Sequence, residues 1–279
     1  METARDTHMR TATPPGRGRP TGAPDAAGPT RSVVLGSGID RMDMRQTLAR
    51  CEELIARREF AQHVAINAAK LVAMQQDPDL RRIVEGCELV SADGQAVVWA
   101  SRMLHDPLPE RVAGIDLMQE LFALAERRGF RVFVLGAKAA VLEQARRRIM
   151  AKHPRLQFVG MRDGYFSEAE EAEVAEQVRD ARPDILFVAI SSPRKEYWLG
   201  RYGRTIDVPF VMGVGGAIDV VAGITRRAPR PLQQLGLEWA YRLVQEPRRL
   251  WRRYAVTNLR FGWLLGGTLI RRLGRGARP

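Results

Sequence analysis

Short apolar runs rich in β-branched residues alternate with longer stretches of helical periodicity, and that alternation restricts the fold more than any other feature of the chain. Strands are expected at 32–35, 63–67, 89–92, 131–135, 156–159, 185–190 and 210–212. Helical patterns occupy 45–59, 116–128, 139–152 and 168–181. Leu117, Leu121, Leu124 and Ala125 recur at the i, i+4, i+7, i+8 spacing of a buried stripe, and Gly129 ends that helix as a left-handed C′ residue. Such alternation favours parallel strands covered by helices. The expected class is therefore α/β, a Rossmann-like, mostly parallel sheet with helices on both faces. Ligands of these sheets bind beyond the carboxyl ends of the strands.

The pattern changes after Val221. No strand is expected from 225 onward, where an Arg-rich helical stretch is broken at Pro247. We divide the chain into an α/β core at 31–224 and a helical, basic appendage at 225–279. Residues 1–30, rich in Pro, Gly, Ala and Thr, read as a disordered arm.

The formal net charge of +12 invites a nucleic-acid reading, but the charge is unevenly placed. Thirteen arginines at 226–279 face only Glu238 and Glu246, whereas 31–225 carries as many acidic as basic residues. An anionic partner should therefore meet the appendage. The N-terminus lacks the apolar stretch of a signal peptide. The apolar run at 261–270 is about half of a ~20-residue span and is interrupted by Gly262, Gly266 and Gly267. It suits a surface-lying segment better than a transmembrane helix. Cys51 and Cys87 form no CxxC pair, so reduced thiols are expected rather than a disulfide or zinc site.

Candidate chemistry gathers at strand-to-helix turns. Asp93-Gly94 follows the strand at 89–92. Its carboxylate could take a proton from an attacking hydroxyl or simply cap the next helix, while Gly94 lets backbone approach a ligand. Gly136 opens a turn that could offer amides to a phosphate. Gly215 and Gly216, within Gly-Val-Gly-Gly-Ala, mark either a backbone pressed against a ligand or a tight turn. Ser192 and Lys195 lie in Ser-Ser-Pro-Arg-Lys-Glu, which suits a polar ligand or ordinary capping. The only DxD, Asp77-Pro78-Asp79, reads as a cap-plus-proline helix start rather than a metal site. No metal or cofactor is expected. Two other classes stay open on the residues alone. One is a basic nucleic-acid-binding protein, which the neutral core opposes; the other is a nucleotide-cofactor oxidoreductase, which the missing GxGxxG opposes.

Taken together, Asp93-Gly94-Gln95, the run Pro107-Leu108-Pro109-Glu110-Arg111-Val112-Ala113-Gly114-Ile115-Asp116-Leu117 and Gly164-Tyr165-Phe166 resemble the WecG/TagA/CpsF family of bacterial glycosyltransferases. The match continues through Pro183-Asp184-Ile185, Gly213-Val214-Gly215-Gly216-Ala217, Arg227-Ala228-Pro229, Leu235-Gly236-Leu237-Glu238-Trp239 and Glu246-Pro247-Arg248-Arg249, covering about residues 32–255.

The resemblance implies metal-independent, inverting transfer of a hexose-type sugar from a UDP-sugar donor to a polyprenyl-diphosphate-linked acceptor, in cell-surface or exopolysaccharide biosynthesis. It implies that Asp93 is the catalytic base, that Asn67 and Arg111 line the active site, and that Arg242, Arg249 and Arg252 close over the donor diphosphate. It also implies a cytoplasmic protein, peripheral on the anionic inner face of the membrane, and it permits monomers, dimers and trimers. The chain departs from the family pattern twice, with Ala65 where threonine is usual and Lys195 where glutamine is usual. Both departures bear on which sugars are used.

Overall fold

The structure, a computed structural model, describes residues 30–276, the side chains of Gln234, Arg249 and 273–276 excepted. The arm expected at 1–30 thus lies, apart from Thr30, outside the described residues. The described chain opens with a hairpin of β1 (Arg31–Val34) and β2 (Ser37–Asp40). Its two-residue turn, Leu35-Gly36, has positive φ at both positions, 50° and 83°, which matches the twist of paired strands. The sequence reading places one strand here and misses its partner, because Ser-Gly-Ile-Asp contains a single β-branched residue.

The core continues through α1 (Met44–Arg57), β3 (Ala61–Ile66), α2 (Ala68–Gln76), α3 (Pro78–Glu85), β4 (Leu89–Ala92), α4 (Gln95–Met103) and α5 (Gly114–Arg128). Then come β5 (Arg131–Gly136), α6 (Ala139–Lys152), β6 (Gln157–Arg162), α7 (Glu171–Asp180), β7 (Ile185–Ala189), α8 (Arg194–Tyr202), β8 (Phe210–Gly213) and α9 (Ala217–Ala222). Strands β3 to β8 form one sheet in the order β4-β3-β8-β7-β5-β6, and every neighbouring pair is parallel. The chain runs outward from β3 to β4, crosses to β5 and β6, and fills back through β7 to β8 beside β3. The tips of β3, β4 and β8 therefore adjoin where the winding reverses, the usual place for a ligand crevice.

Period-2 alternation sorts each central strand between two cores. Ile185, Phe187 and Ala189 of β7 pack with α1, α5, α6 and α9, while Leu186 and Val188 face α7 and α8. The stripe of α5 is buried as expected, and Gly129 ends the helix at φ 72°. Asp77 caps α3, its Oδ1 accepting from Leu80 N–H at 2.9 Å, with Pro78 in the first turn.

The appendage comprises α10 (Arg230–Gln234), α11 (Glu238–Gln245) and α12 (Pro247–Gly276). Phe261 and Leu265 of α12 are buried in the same cluster as Leu71 and Met74 of α2. The turn before α11 lies on α4: a Cβ at Gly236 (φ 69°) would come within 2.7 Å of the Gln95 Cβ, so only glycine fits. No helix among the described residues is long and apolar enough to cross a membrane.

One buried polar group sits in the sheet itself. His63 of β3 is solvent-excluded, with Nε2 2.9 Å from Ser91 Oγ on β4. Burial, aided by the nearby Lys70 charge, lowers its pKa from 6.5 to about 3. The unfolded imidazole binds a proton below 6.5 and the folded one does not until about 3. The His63 contribution to stability is therefore complete above pH 6.5 and is lost as pH falls toward 3. We expect denaturant midpoints to decline between about pH 7 and about pH 4, and His63→Gln to flatten that decline. An equal decline in both proteins would contradict this assignment.

Candidate active site at the strand tips

The crevice is built around the end of β4. Asp93 N–H donates to the carbonyl of Ile66 at 2.8 Å, joining the tips of β4 and β3. The segment before α5 runs back beside β4, where Val112 N–H donates to Ala92 O at 2.9 Å. Gly114, the first residue of α5, then donates its N–H to Asp93 Oδ1 at 2.9 Å. Asp93 is thus not the cap of the helix that follows it; Gly94 holds that position without a side-chain cap bond. The carboxylate instead meets the start of α5, where the helix dipole favours negative charge. Its Oδ2 has no hydrogen-bond partner among the described residues.

Small residues surround this carboxylate. A Cβ at Gly114 would lie 3.6 Å from the Ala65 Cβ, 3.8 Å from Met212 Cε and 3.9 Å from Asp93 Oδ1. One at Gly94 would meet the Asn67 Cβ at 3.2 Å. Asn67 caps α2, its Oδ1 accepting from Lys70 N–H at 3.0 Å. Asp93, Gly94 and Asn67 therefore stand together, as sequence reading expects.

Two charged clusters flank them. The first is buried: Lys70 Nζ lies 2.6 Å and Lys195 Nζ 3.0 Å from the same oxygen, Glu196 Oε1. Burial opposes the Glu196 charge, but the two ammonium groups prevail and hold its pKa at about 2. Lys195 is shifted downward, first by burial and then by Lys70, and the shift is opposed chiefly by Glu196 and less by the charge of Asp93.

The second cluster joins the appendage to α5. Arg227 forms a fork with Asp116, whose Oδ2 is 2.7 Å from Nη2. Glu238 lies 3.0 Å from Arg111, 3.7 Å from Arg227 and 3.8 Å from Arg242. The pKa of Arg227 is raised, principally by Asp116, with Asp93 contributing. The charge of Asp93 thus reaches one residue in each cluster.

The remaining sequence candidates fall differently. Gly136 ends β5, and a Cβ there would lie 2.6 Å from the Ala189 carbonyl carbon, so close strand packing accounts for the glycine. Gly215 N–H donates to Val188 O at 3.2 Å, which ties the glycine turn to β7; Gly216 caps α9 without a side-chain bond. Ser192 is exposed and precedes a cis proline. Arg252 is exposed on α12, and the Arg249 side chain lies outside the described residues. Sequence reasoning gave no role to Lys70, Glu196, Asp116, Arg227 or Glu238. The last four lie inside the motifs above, whose positions the sequence displays while tertiary structure sets their pairings. A separate cleft of about 500 Å³ opens at the amino ends of β3 and β4, but its Arg31, Arg50, Arg57 and Arg204 are paired with Asp40, Glu53 and Glu88.

A carboxylate at a strand tip, flanked by cations at the carboxyl edge of a parallel sheet, defines a Rossmann-like α/β enzyme with a polar, anion-attracting site. The family model for the Glycosyl transferase WecG/TagA/CpsF family matches residues 32–275. The chain belongs to that family and is a glycosyltransferase of cell-surface polymer biosynthesis. Family membership implies a sugar-nucleotide donor and a lipid-linked acceptor.

Replacing Arg227 leaves Asp116 and Glu238 without their shared cation. We expect Arg227→Met to cost about 1–2 kcal/mol, because Asp116 is partly solvated, and Arg227→Met/Asp116→Asn to recover part of that loss. Denaturant unfolding measures both.

Proposed function

We propose that this chain is an inverting hexosyltransferase that moves a hexose-type sugar from a UDP-sugar to a polyprenyl-diphosphate-linked acceptor. The observation that carries the reading is the placement of Asp93, with Oδ1 fixed by Gly114 N–H and Oδ2 without a partner among the described residues. As the anomeric C–O bond breaks, positive charge grows on the sugar and negative charge on the departing diphosphate. Oδ2 takes the proton of the acceptor hydroxyl as that oxygen attacks the opposite face of the sugar. One general base and one displacement give inversion.

The departing diphosphate requires fixed positive donors, and guanidinium forks match its oxygens. Arg111, Arg227 and Arg242, gathered at Glu238, supply them from the segment before α5 and from 225–279, which we read as an appendage that closes the site. Arg249 and Arg252 belong to the same reading, following the direction of α12. Sugar contacts come from Asn67, Gly94 and Lys195, with Gly136, Ser192, Gly215 and Gly216 on neighbouring turns.

The acceptor places this chemistry at the inner face of the cytoplasmic membrane, and α12 has the surface for it. Arg252, Val256, Leu259, Trp263 and Ile270 share one face at helical spacing, opposite the buried Phe261 and Leu265. Leu259, Trp263 and Ile270 are 75%, 81% and 71% exposed. Arg248, Arg252 and Arg253 flank that face, and each cation near an anionic surface contributes about 1 kcal/mol.

Asp93→Asn retains an oxygen for the Gly114 amide and removes the base. We expect an unchanged melting temperature and transfer reduced about 10²–10⁴-fold; near-parental turnover would remove Asp93 from the mechanism. Leu259→Glu/Trp263→Glu should preserve folding and lower partitioning onto vesicles containing anionic lipid. Unchanged partitioning in a sedimentation assay would remove α12 from the membrane contact.

A further inference from the structure

The exposed apolar side chains of α4 are grouped. Gln95, Trp99 and Met103 recur at the i, i+4, i+8 spacing of one helix face. Trp99 and Met103 are 48% and 51% exposed, whereas Val97, Val98 and Ala100 of the same helix are buried in one cluster with Phe261 and Leu265 of α12. The appendage borders the exposed face at both ends. Near its start, a Cβ at Gly236 would stand 3.3 Å from Trp99 Cη2, so the turn that carries Leu235, 60% exposed, lies against the indole. At its far end, Arg272 of α12 donates to the carbonyl of Leu104, the residue that closes α4. Single exposed apolar residues are ordinary, but a joined group of them beside an active site marks a contact surface.

This surface has a direction. Helix α4 starts two residues after Asp93 and is a rod roughly 13 Å long. Its other end lies beside the part of α12 that carries Ile270 on the face assigned above to the membrane. An apolar track therefore leads from the carboxylate toward that face.

We propose that Trp99, Met103 and Leu235 hold the first isoprene units of the acceptor's polyprenyl chain. The proposal rests on the transferase reading above. The sugar of the acceptor has to reach Asp93 while the rest of its chain stays in the membrane. The leading isoprene units must then cross the protein surface between the two, and an apolar chain crosses at least cost where apolar side chains shield it from water. Such a chain has no polar group to satisfy, and the side chains of Trp99, Met103 and Leu235 ask for none beyond the indole N–H. Arg102, next to Met103 and exposed, extends the surface with its methylene stem while its guanidinium stays in water. The donor, polar along its length, gains nothing from this face.

The experiment measures kcat/KM for the full chain in solution, without vesicles or detergent. Two acceptors share one sugar diphosphate and end either in a methyl group or in a short, water-soluble prenyl chain. We expect the prenyl acceptor to be favoured about tenfold or more, the scale of burying about two CH₂ groups. Trp99→Gln/Met103→Gln should bring that ratio to near parity and leave partitioning onto anionic vesicles as in the parent. Leu235→Gln, on a different element, should lower the ratio part of the way, and it keeps the test available if the α4 variant melts early. Parity between the acceptors in the parent, or a preference that survives both variants, overturns this proposal alone. Reduced vesicle partitioning beside a surviving preference assigns the face to the membrane itself and overturns it equally. Absence of transfer from every nucleotide sugar to either acceptor overturns the transferase reading together with it.

Discussion

The hydrogen bond from Gly114 N–H to Asp93 Oδ1 is the contact on which the site depends. It fastens the end of β4 to the first turn of α5, elements separated in sequence by α4 and a proline-containing segment. It also orients a carboxylate without consuming both of its oxygens. A Cβ at Gly114 would come into ordinary contact with Ala65, Met212 and the carboxylate itself, and glycine leaves that space open. The same backbone that places the acid therefore keeps the space around it clear.

Glu238 has the corresponding task for the appendage. An acidic residue in an otherwise arginine-dominated segment gathers Arg111, Arg227 and Arg242, which would repel one another if brought together without it. With Asp116 holding the Arg227 fork, two carboxylates organise three guanidiniums beside the crevice. Positive charge there is organised as well as abundant, unlike that of a generally basic surface.

Much of the fold was legible because the central strands are buried on both faces and read as continuous apolar runs. Residues 185–190 stand out for that reason, as do the equally buried 89–92 of the edge strand β4, and the stripe from Leu117 to Ala125 marks α5. The hairpin partner Ser37–Asp40 did not stand out, because its pairing is set by a turn and not by strand propensity. In the site, Asp93 was visible from its position after a strand, but its partner was not: the Gly114 amide is a backbone group and leaves no residue-type signal. The lysine pair on Glu196 was equally hidden, since its members lie on α2 and α8 and meet only after β3 and β8 become neighbours. Arg227 shows the same limit. Its place in the Arg-Ala-Pro motif is plain in the sequence, while the identity of its counter-ions is a matter of tertiary geometry.

The seat of α12 has a mechanical consequence. Its inner face rests on α2, a helix of nine residues whose opening turn carries Lys70 and whose cap is Asn67. At 1.5 Å of rise per residue such a helix is a rod roughly 13 Å long, with the appendage pressing along its flank and the crevice at its head. A push on α12 from outside therefore reaches the crevice through a single stiff strut, without deforming the sheet, and whatever α12 leans against helps decide how the crevice is held.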